Sequence, residues 1–262
     1  MARLPRRLRH DESVTLVEHL EEFRSRLVVS MLALAATFTL TYIFRKTLLD
    51  WLIAPLPKNQ KDHLITLEPL EAFTTSFMVA FYGALALSLP VLLWQLWSFL
   101  APAFEETSQK VVARLVAAAT ALFAGGMAFA YWVVLPAAIP FLLNFDSDVY
   151  QNEIRARPYF SFAATTLFAL GLLFELPIVI LGLVRLGIIS SSTLRNNRRI
   201  GMGLCVIAAV LLPGVDLVTT AFQALPILGL YEVSIWVSVY FEKRWAPKIA
   251  ARREAFATPD QP

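Results

Sequence analysis

The sequence predicts an all-α integral membrane protein: six transmembrane helices in a curved bundle, the last two short, with N and C termini cytoplasmic. Three observations lead there. Hydrophobic residues make up 57% of the 262 and charged residues only 16%, with a mean hydropathy of +0.60, far from soluble globular usage. The apolar residues collect in uncharged runs that can cross a hydrocarbon core of about 30 Å at ~1.5 Å per helical residue. Lysine and arginine fall unevenly between alternate loops.

Residues 1–13 read as a flexible cytoplasmic arm rather than a targeting peptide, because 26 mixed-charge residues precede the first apolar run and that run suits spanning. The stretch TLVEHLEEFRSRL, 15–27, opens with a capping-box pattern, Thr15 to Glu18, and sets Leu16, Leu20, Phe23 and Leu27 on one helical face. Glu22 and Arg26 stand at pairing distance, i and i+4. Span one follows as 18 uncharged residues between Arg26 and Arg45. Uncharged runs of 33 residues, 72–104, and 31 residues, 115–145, hold spans two and three. Span four is expected over 159–184, span five over 200–213 and span six over 217–241, with LLPGVD between the last two as a tight hairpin. The bundle thus covers 14–245 of a single membrane domain, and 246–262 form a flexible cytoplasmic tail.

Seven of the fifteen prolines, Pro90, Pro102, Pro136, Pro140, Pro177, Pro213 and Pro226, sit in or at the ends of apolar runs. Each can bend or end a helix, which predicts a curved bundle with cavities. On a six-span reading, 17 of the 23 lysines and arginines fall on the side of the termini, which places that side in the cytoplasm. The loops 45–71 and 145–158 then lie outside, the first long enough for a small cap with short helical pieces.

The composition excludes several classes. The net charge of +3 is modest and its basic residues are juxtamembrane, so nucleic acid is not implied. Cys205 is the lone cysteine, so there is no internal disulfide and no thiolate metal cluster. No H-E-x-x-H, G-x-S-x-G or Walker A pattern occurs, and His10, His19 and His63 lie outside the spans, so neither an enzyme nor a cofactor is expected and any energy source is external.

Acidic residues carry the remaining chemistry. Glu22 on the first helix and Glu105 and Glu106 in AFEETSQK, 103–110, are expected at the same cytoplasmic surface, where carboxylates would capture a basic ligand through bidentate bonds to guanidinium. A solvated interfacial helix is the plainer reading of the first of these. Glu175, inside LFALGLLFELPIVILGLV, must face inward, since a charge at depth costs a few kcal/mol unless it meets water or a partner. It serves either a hydrated cavity or a hydrogen bond across helices. Asp216 at the hairpin reads as a turn residue or cap.

These residues together resemble the TatC family, the multi-span receptor subunit of the twin-arginine protein translocase. The resemblance runs over about 14–245 and rests on HLEEFRSRL, LPVLLWQLWSFLAPAF, MAFAYWVVLP, FELP and the LPGVD hairpin, in that order. It implies a glove-like concave bundle, binding of twin-arginine signal peptides of folded cargo, and transport driven by the proton motive force. It also implies assembly with TatA- and TatB-type single-span partners, in a homo-oligomer within a larger complex in the cytoplasmic membrane of a prokaryote. By motif, the receptor site takes in Glu22, Arg24 and Phe99, with Pro55 after span one. Gln95 and Glu175 correspond to the family's intramembrane polar residues, and Asp216 to its hairpin aspartate. The family's second acidic site falls on Ser108 here, so Glu105 or Glu106 would serve by displacement. The hairpin, Pro213-Gly214-Val215-Asp216, departs from the family's usual T-P-P-D. Thr219, Thr220 and Gln223 are the candidates for partner contact. The rival is a proton- or ion-coupled small-solute transporter using Glu175 as its coupling group.

Overall fold

The computed structural model describes residues 16–57, 64–100, 109–145, 153–214 and 216–257. Regular structure among them is helical. In hydrocarbon every backbone N–H and C=O must pair within its own segment, and a helix does this for a continuous apolar run. The elements are α1 (Leu16–Ile43), α2 (Arg45–Ile53), α3 (Glu71–Leu100), α4 (Gln109–Phe129), a π-helical turn (Ala130–Val134), α5 (Leu135–Asn144), α6 (Ala156–Leu173), α7 (Leu176–Arg185), α8 (Ser191–Asn196), α9 (Arg198–Val210) and α10 (Leu217–Ala257).

Five stretches among the described residues are long and apolar enough to cross a membrane: His19–Ile43, Glu71–Leu100, Lys110–Asn144, Ala156–Arg185 and Leu217–Glu242. Helix α9 has 13 residues and reaches only about 20 Å. Of the two final helices expected to be short, then, only α9 is. The last apolar stretch has 26 residues, because Pro226 removes one hydrogen bond without ending the helix around it. Helix α10 also continues through 246–257, so no helix end separates the bundle from the tail expected to be flexible; KIAARREAFA is rich in strong helix formers.

Two long apolar stretches are broken by proline chemistry. Pro136 has no N–H for the Trp132 carbonyl, and just ahead of it the chain widens into the π turn, with the Leu135 N–H reaching back to the Ala130 carbonyl. Pro177 likewise cannot serve the Leu173 carbonyl, and α6 ends at Leu173 with α7 beginning at Leu176. Pro90, by contrast, sits inside an unbroken α3.

Helices α1 and α3 pack through polar links as well as apolar area. The Thr41 hydroxyl donates to the Ala80 carbonyl (2.8 Å) and the Thr37 hydroxyl to the Ala84 carbonyl (3.2 Å), bonds suited to a lipid setting where apolar contact alone does not drive helices together. The core lies between α2, the π turn, α5, α6 and α10, around Val134, Leu135, Leu170 and Ile227, all fully buried.

At the end where α3 begins, the short α2 is pinned by tyrosines. The Tyr159 hydroxyl donates to the Leu52 carbonyl (2.6 Å) and the Tyr131 hydroxyl to the Trp51 carbonyl (3.0 Å), and Tyr131 stacks on Trp51 at 4.0 Å. Both carbonyls belong to the last turn of a nine-residue helix; the Trp51 carbonyl also accepts the Ala54 N–H (3.2 Å), and the Tyr159 hydroxyl serves the Leu52 carbonyl beyond it.

Glu71, only 1% exposed, holds the same end together. Its Oε2 accepts the Leu67 N–H (2.8 Å) and an Arg155 guanidinium N–H (3.3 Å), and its Oε1 accepts the Arg157 N–H (3.3 Å). Beside it, Ile65 and Arg155 form an isolated parallel bridge. The carboxylate thereby ties the chain before α3 to the start of α6. Glu71→Gln removes the charge these donors converge on and is expected to lower the melting temperature in detergent by about 5 °C. An unchanged thermal unfolding curve would show that the bridge alone holds this end.

Candidate functional site

The first turns of α1 pack on the last turns of α3. Spacing on α1 puts His19, Glu22, Phe23 and Arg26 on one face, three or four residues apart. Phe99 of α3 meets that face: its ring stacks on His19 at 4.6 Å and lies tilted against Phe23 at 5.8 Å. Beside the rings, the Arg26 guanidinium donates twice to Glu22 Oε1, from Nε (2.9 Å) and a terminal nitrogen (2.6 Å). It reaches α3 as well, donating to Gln95 Oε1 (3.3 Å) and the Ser98 carbonyl (3.3 Å). Glu22 and Arg26 side chains are each 25% exposed, so the pair is screened but open to a ligand.

The i,i+4 pair expected between Glu22 and Arg26 is present, and Phe99 and Gln95 join it. Arg24 does not: two residues from each of them, it lies on the other side of α1 and is exposed. Glu105 and Glu106 lie outside the described residues, as does Ser108. Of the described residues on either side, α3 ends at Leu100, one residue after Phe99, and Val112 and Val116 of α4 cluster with Trp97 of α3.

Glu175 occupies the break between α6 and α7 and is 8% exposed. The break follows from Pro177, and it turns the backbone so that the Glu175 carbonyl accepts the N–H groups of both Ile178 and Val179 (3.0 Å each). Its side-chain Oε1 is buried without a hydrogen-bond partner among the described residues. The expectation that Glu175 faces inward therefore holds. An unsatisfied carboxyl oxygen at a helix break is a ready acceptor for water or a polar group from another chain.

The hairpin between α9 and α10 is built on Gly214, whose φ of +102° is reserved for glycine and whose absent Cβ would meet Thr219 Cγ2 at 2.5 Å. Asp216 caps α10, its carboxylate accepting the Thr219 N–H (2.7 Å), which is the turn role expected of it. The Thr220 hydroxyl donates to the Gly214 carbonyl (3.2 Å) and the Gln223 amide to the Pro213 carbonyl (2.9 Å). Thr219 and Gln223 are fully buried, so within this chain they brace the hairpin rather than offer surface; only Thr220 is half-buried.

Sequence reasoning missed the contribution of Arg26 beyond its own helix, the Ser98 carbonyl, and the clamp of Glu71 and Arg155. The signal for Arg26 and Glu71 is a charged residue at the edge of an apolar run, which marks a polar need but not its partner. No group of three or more metal-ligating side chains occurs among the described residues.

Five apolar stretches long enough to cross a membrane, with a carboxylate, guanidinium and aromatic cluster where α1 meets the end of α3, define a polytopic helical membrane protein. The chain belongs to the TatC family: the family model described as Sec-independent protein translocase protein matches residues 18–226. It is 34% identical to the Sec-independent protein translocase protein TatC of Carboxydothermus hydrogenoformans, over 89% of this chain and 96% of that one. It is 35% identical to the chloroplastic TATC of Arabidopsis thaliana, over 87% of this chain and 67% of that one. The crystal structure of the twin arginine translocase receptor TatC in DDM superposes with a TM-score of 0.75 at 31% identity, covering 84% of this chain and 99% of that one. The protein is thus a multi-pass membrane component of a protein translocase. The small-solute transporter reading finds no support among these relatives.

Proposed function

We propose that the protein is the receptor of a twin-arginine translocase, binding paired-arginine signal peptides of folded cargo at the cytoplasmic face through Glu22 and Glu105 or Glu106. The observation that carries this reading is the seating of Glu22 and Phe99 in one partly exposed cluster at the end of α3. Carboxylates there meet guanidinium groups with charge-assisted bonds, and the rings of His19, Phe23 and Phe99 give the apolar flank of the peptide a surface. Arg24, exposed on the far side of α1, contacts the peptide or an adjacent subunit. The protein lies in the cytoplasmic membrane of a prokaryote, and the lysine and arginine distribution supports an orientation with both termini in the cytoplasm.

TatA- and TatB-type single-span partners then assemble on the protein within a homo-oligomeric complex, and the proton motive force drives export. Thr220 meets a partner directly, while Thr219 and Gln223 act through the shape of the hairpin. Glu175 receives a polar group or water at the break in the fourth span. Photo-cross-linking of a twin-arginine peptide to probes at positions 22 and 105 tests the site. Cross-links at both positions that disappear with a twin-lysine peptide are expected, and labelling that is indifferent to that change would refute it.

A further inference from the structure

Arg26 holds the Glu22 carboxylate in an arrangement that a bound guanidinium would itself seek. Two of its N–H groups converge on Oε1, at 2.9 and 2.6 Å, while the same guanidinium is tied to Gln95 and to the Ser98 carbonyl of α3. The strongest guanidinium–carboxylate geometry uses both carboxylate oxygens in a parallel fork. With Oε1 occupied, an incoming arginine cannot complete that fork. Glu22 and Arg26 also cancel in charge, so the pair as it stands draws a cation weakly.

We infer that Arg26 is an internal occupant of the Glu22 carboxylate, displaced when a cargo guanidinium binds, and so sets the affinity threshold of the site. The inference rests on the reading of Glu22 as the cargo receptor. Displacement has a built destination: on leaving Glu22, Arg26 keeps its acceptors on α3, Gln95 Oε1 and the Ser98 carbonyl, so its guanidinium is not left without hydrogen bonds. The exchange trades one guanidinium for another, so a cargo arginine recovers every bond that is broken. An ammonium recovers fewer, because it is a point donor without a fork.

A closed latch raises the apparent Kd of every ligand by the same factor, since each must first open it. For ligands with one weak contact the apparent Kd then rises above working concentrations, and those that bring two arginines still bind.

The test uses the full-length protein in nanodiscs and a labelled synthetic peptide with two consecutive arginines ahead of an apolar segment, alongside its double-lysine counterpart. Arg26→Gln opens the latch, and both peptides are expected to bind about three- to tenfold more tightly, by similar factors. Arg26→Lys keeps the charge but loses the fork and should give a smaller gain. It also decides the matter if Arg26→Gln fails to fold. Unchanged or weaker binding in the folded variants overturns the latch. Glu22→Gln separates the two readings. If it leaves peptide affinity intact both alone and with Arg26→Gln, Glu22 is not the receptor; if it weakens binding while Arg26→Gln brings no gain, only the latch is wrong.

Discussion

Glu22→Ala is expected to weaken binding of a twin-arginine peptide by about 10- to 100-fold, the equivalent of losing charge-assisted hydrogen bonds worth roughly 1.5 to 3 kcal/mol. Two effects add. The peptide loses its acceptor, and Arg26, held in place by Gln95 and Ser98, becomes an uncompensated cation at the spot where another cation must dock. A twin-lysine peptide, which never made the fork, should lose much less. Titration of both labelled peptides into the protein and its variant by fluorescence anisotropy reads the difference directly. Equal losses for the two peptides would rule out recognition of guanidinium geometry and leave only general attraction to negative charge.

The largest structural effect is expected at Gly126. A Cβ there would stand 2.8 Å from the Leu170 carbonyl oxygen, 2.8 Å from Phe174 Cγ and 2.9 Å from Gly171 Cα, so α4 and α6 touch backbone to backbone at this level. Gly171 answers from the other side, where a Cβ would meet Phe123 at 2.7 Å. Backbone cannot move aside as a flexible side chain can, so Gly126→Ala must push two spans apart, at a cost of about 1 to 3 kcal/mol. Gly125, one residue earlier on the same helix, has nothing within 4 Å of its Cβ position. Gly125→Ala should be neutral or mildly stabilising, since alanine is the better helix former by about 1 kcal/mol. Thermal unfolding of both variants in detergent gives the comparison, and equal melting temperatures would show that the seam between α4 and α6 yields. Displacing α6 also shifts the break that carries Glu175, so loss of transport should accompany loss of stability in Gly126→Ala.

Much of the molecule was legible before any coordinates. The uncharged runs fell on the long helices, Pro177 and Pro213 marked real breaks, LLPGVD was the hairpin, and Glu22 stood at pairing distance from Arg26. Glu175 was legible as a buried group because a lone carboxylate among apolar residues has few other places to go. The π turn was not, because the register by which a helix absorbs Pro136 depends on what its neighbours allow, and here Tyr131 is needed at Trp51. Nor did the apolar length alone show that α9 is the short member of the final pair, since Pro226 and Pro213 look alike in sequence and only the second ends its helix.

By itself, the sequence determined which segments leave water and where their charges stop, because transfer into hydrocarbon is nearly additive along the chain and each helix satisfies its own backbone. Only the tertiary structure decided which polar groups meet: Arg26 with Gln95 and Ser98, Glu71 with Arg155 and the Arg157 N–H, Tyr159 with the Leu52 carbonyl. Those pairings join residues 69 to 107 positions apart. A hydrogen bond over such a separation exists only once the helices that carry its ends have packed side by side, and that packing turns on single atoms, such as the Cβ that Gly126 lacks.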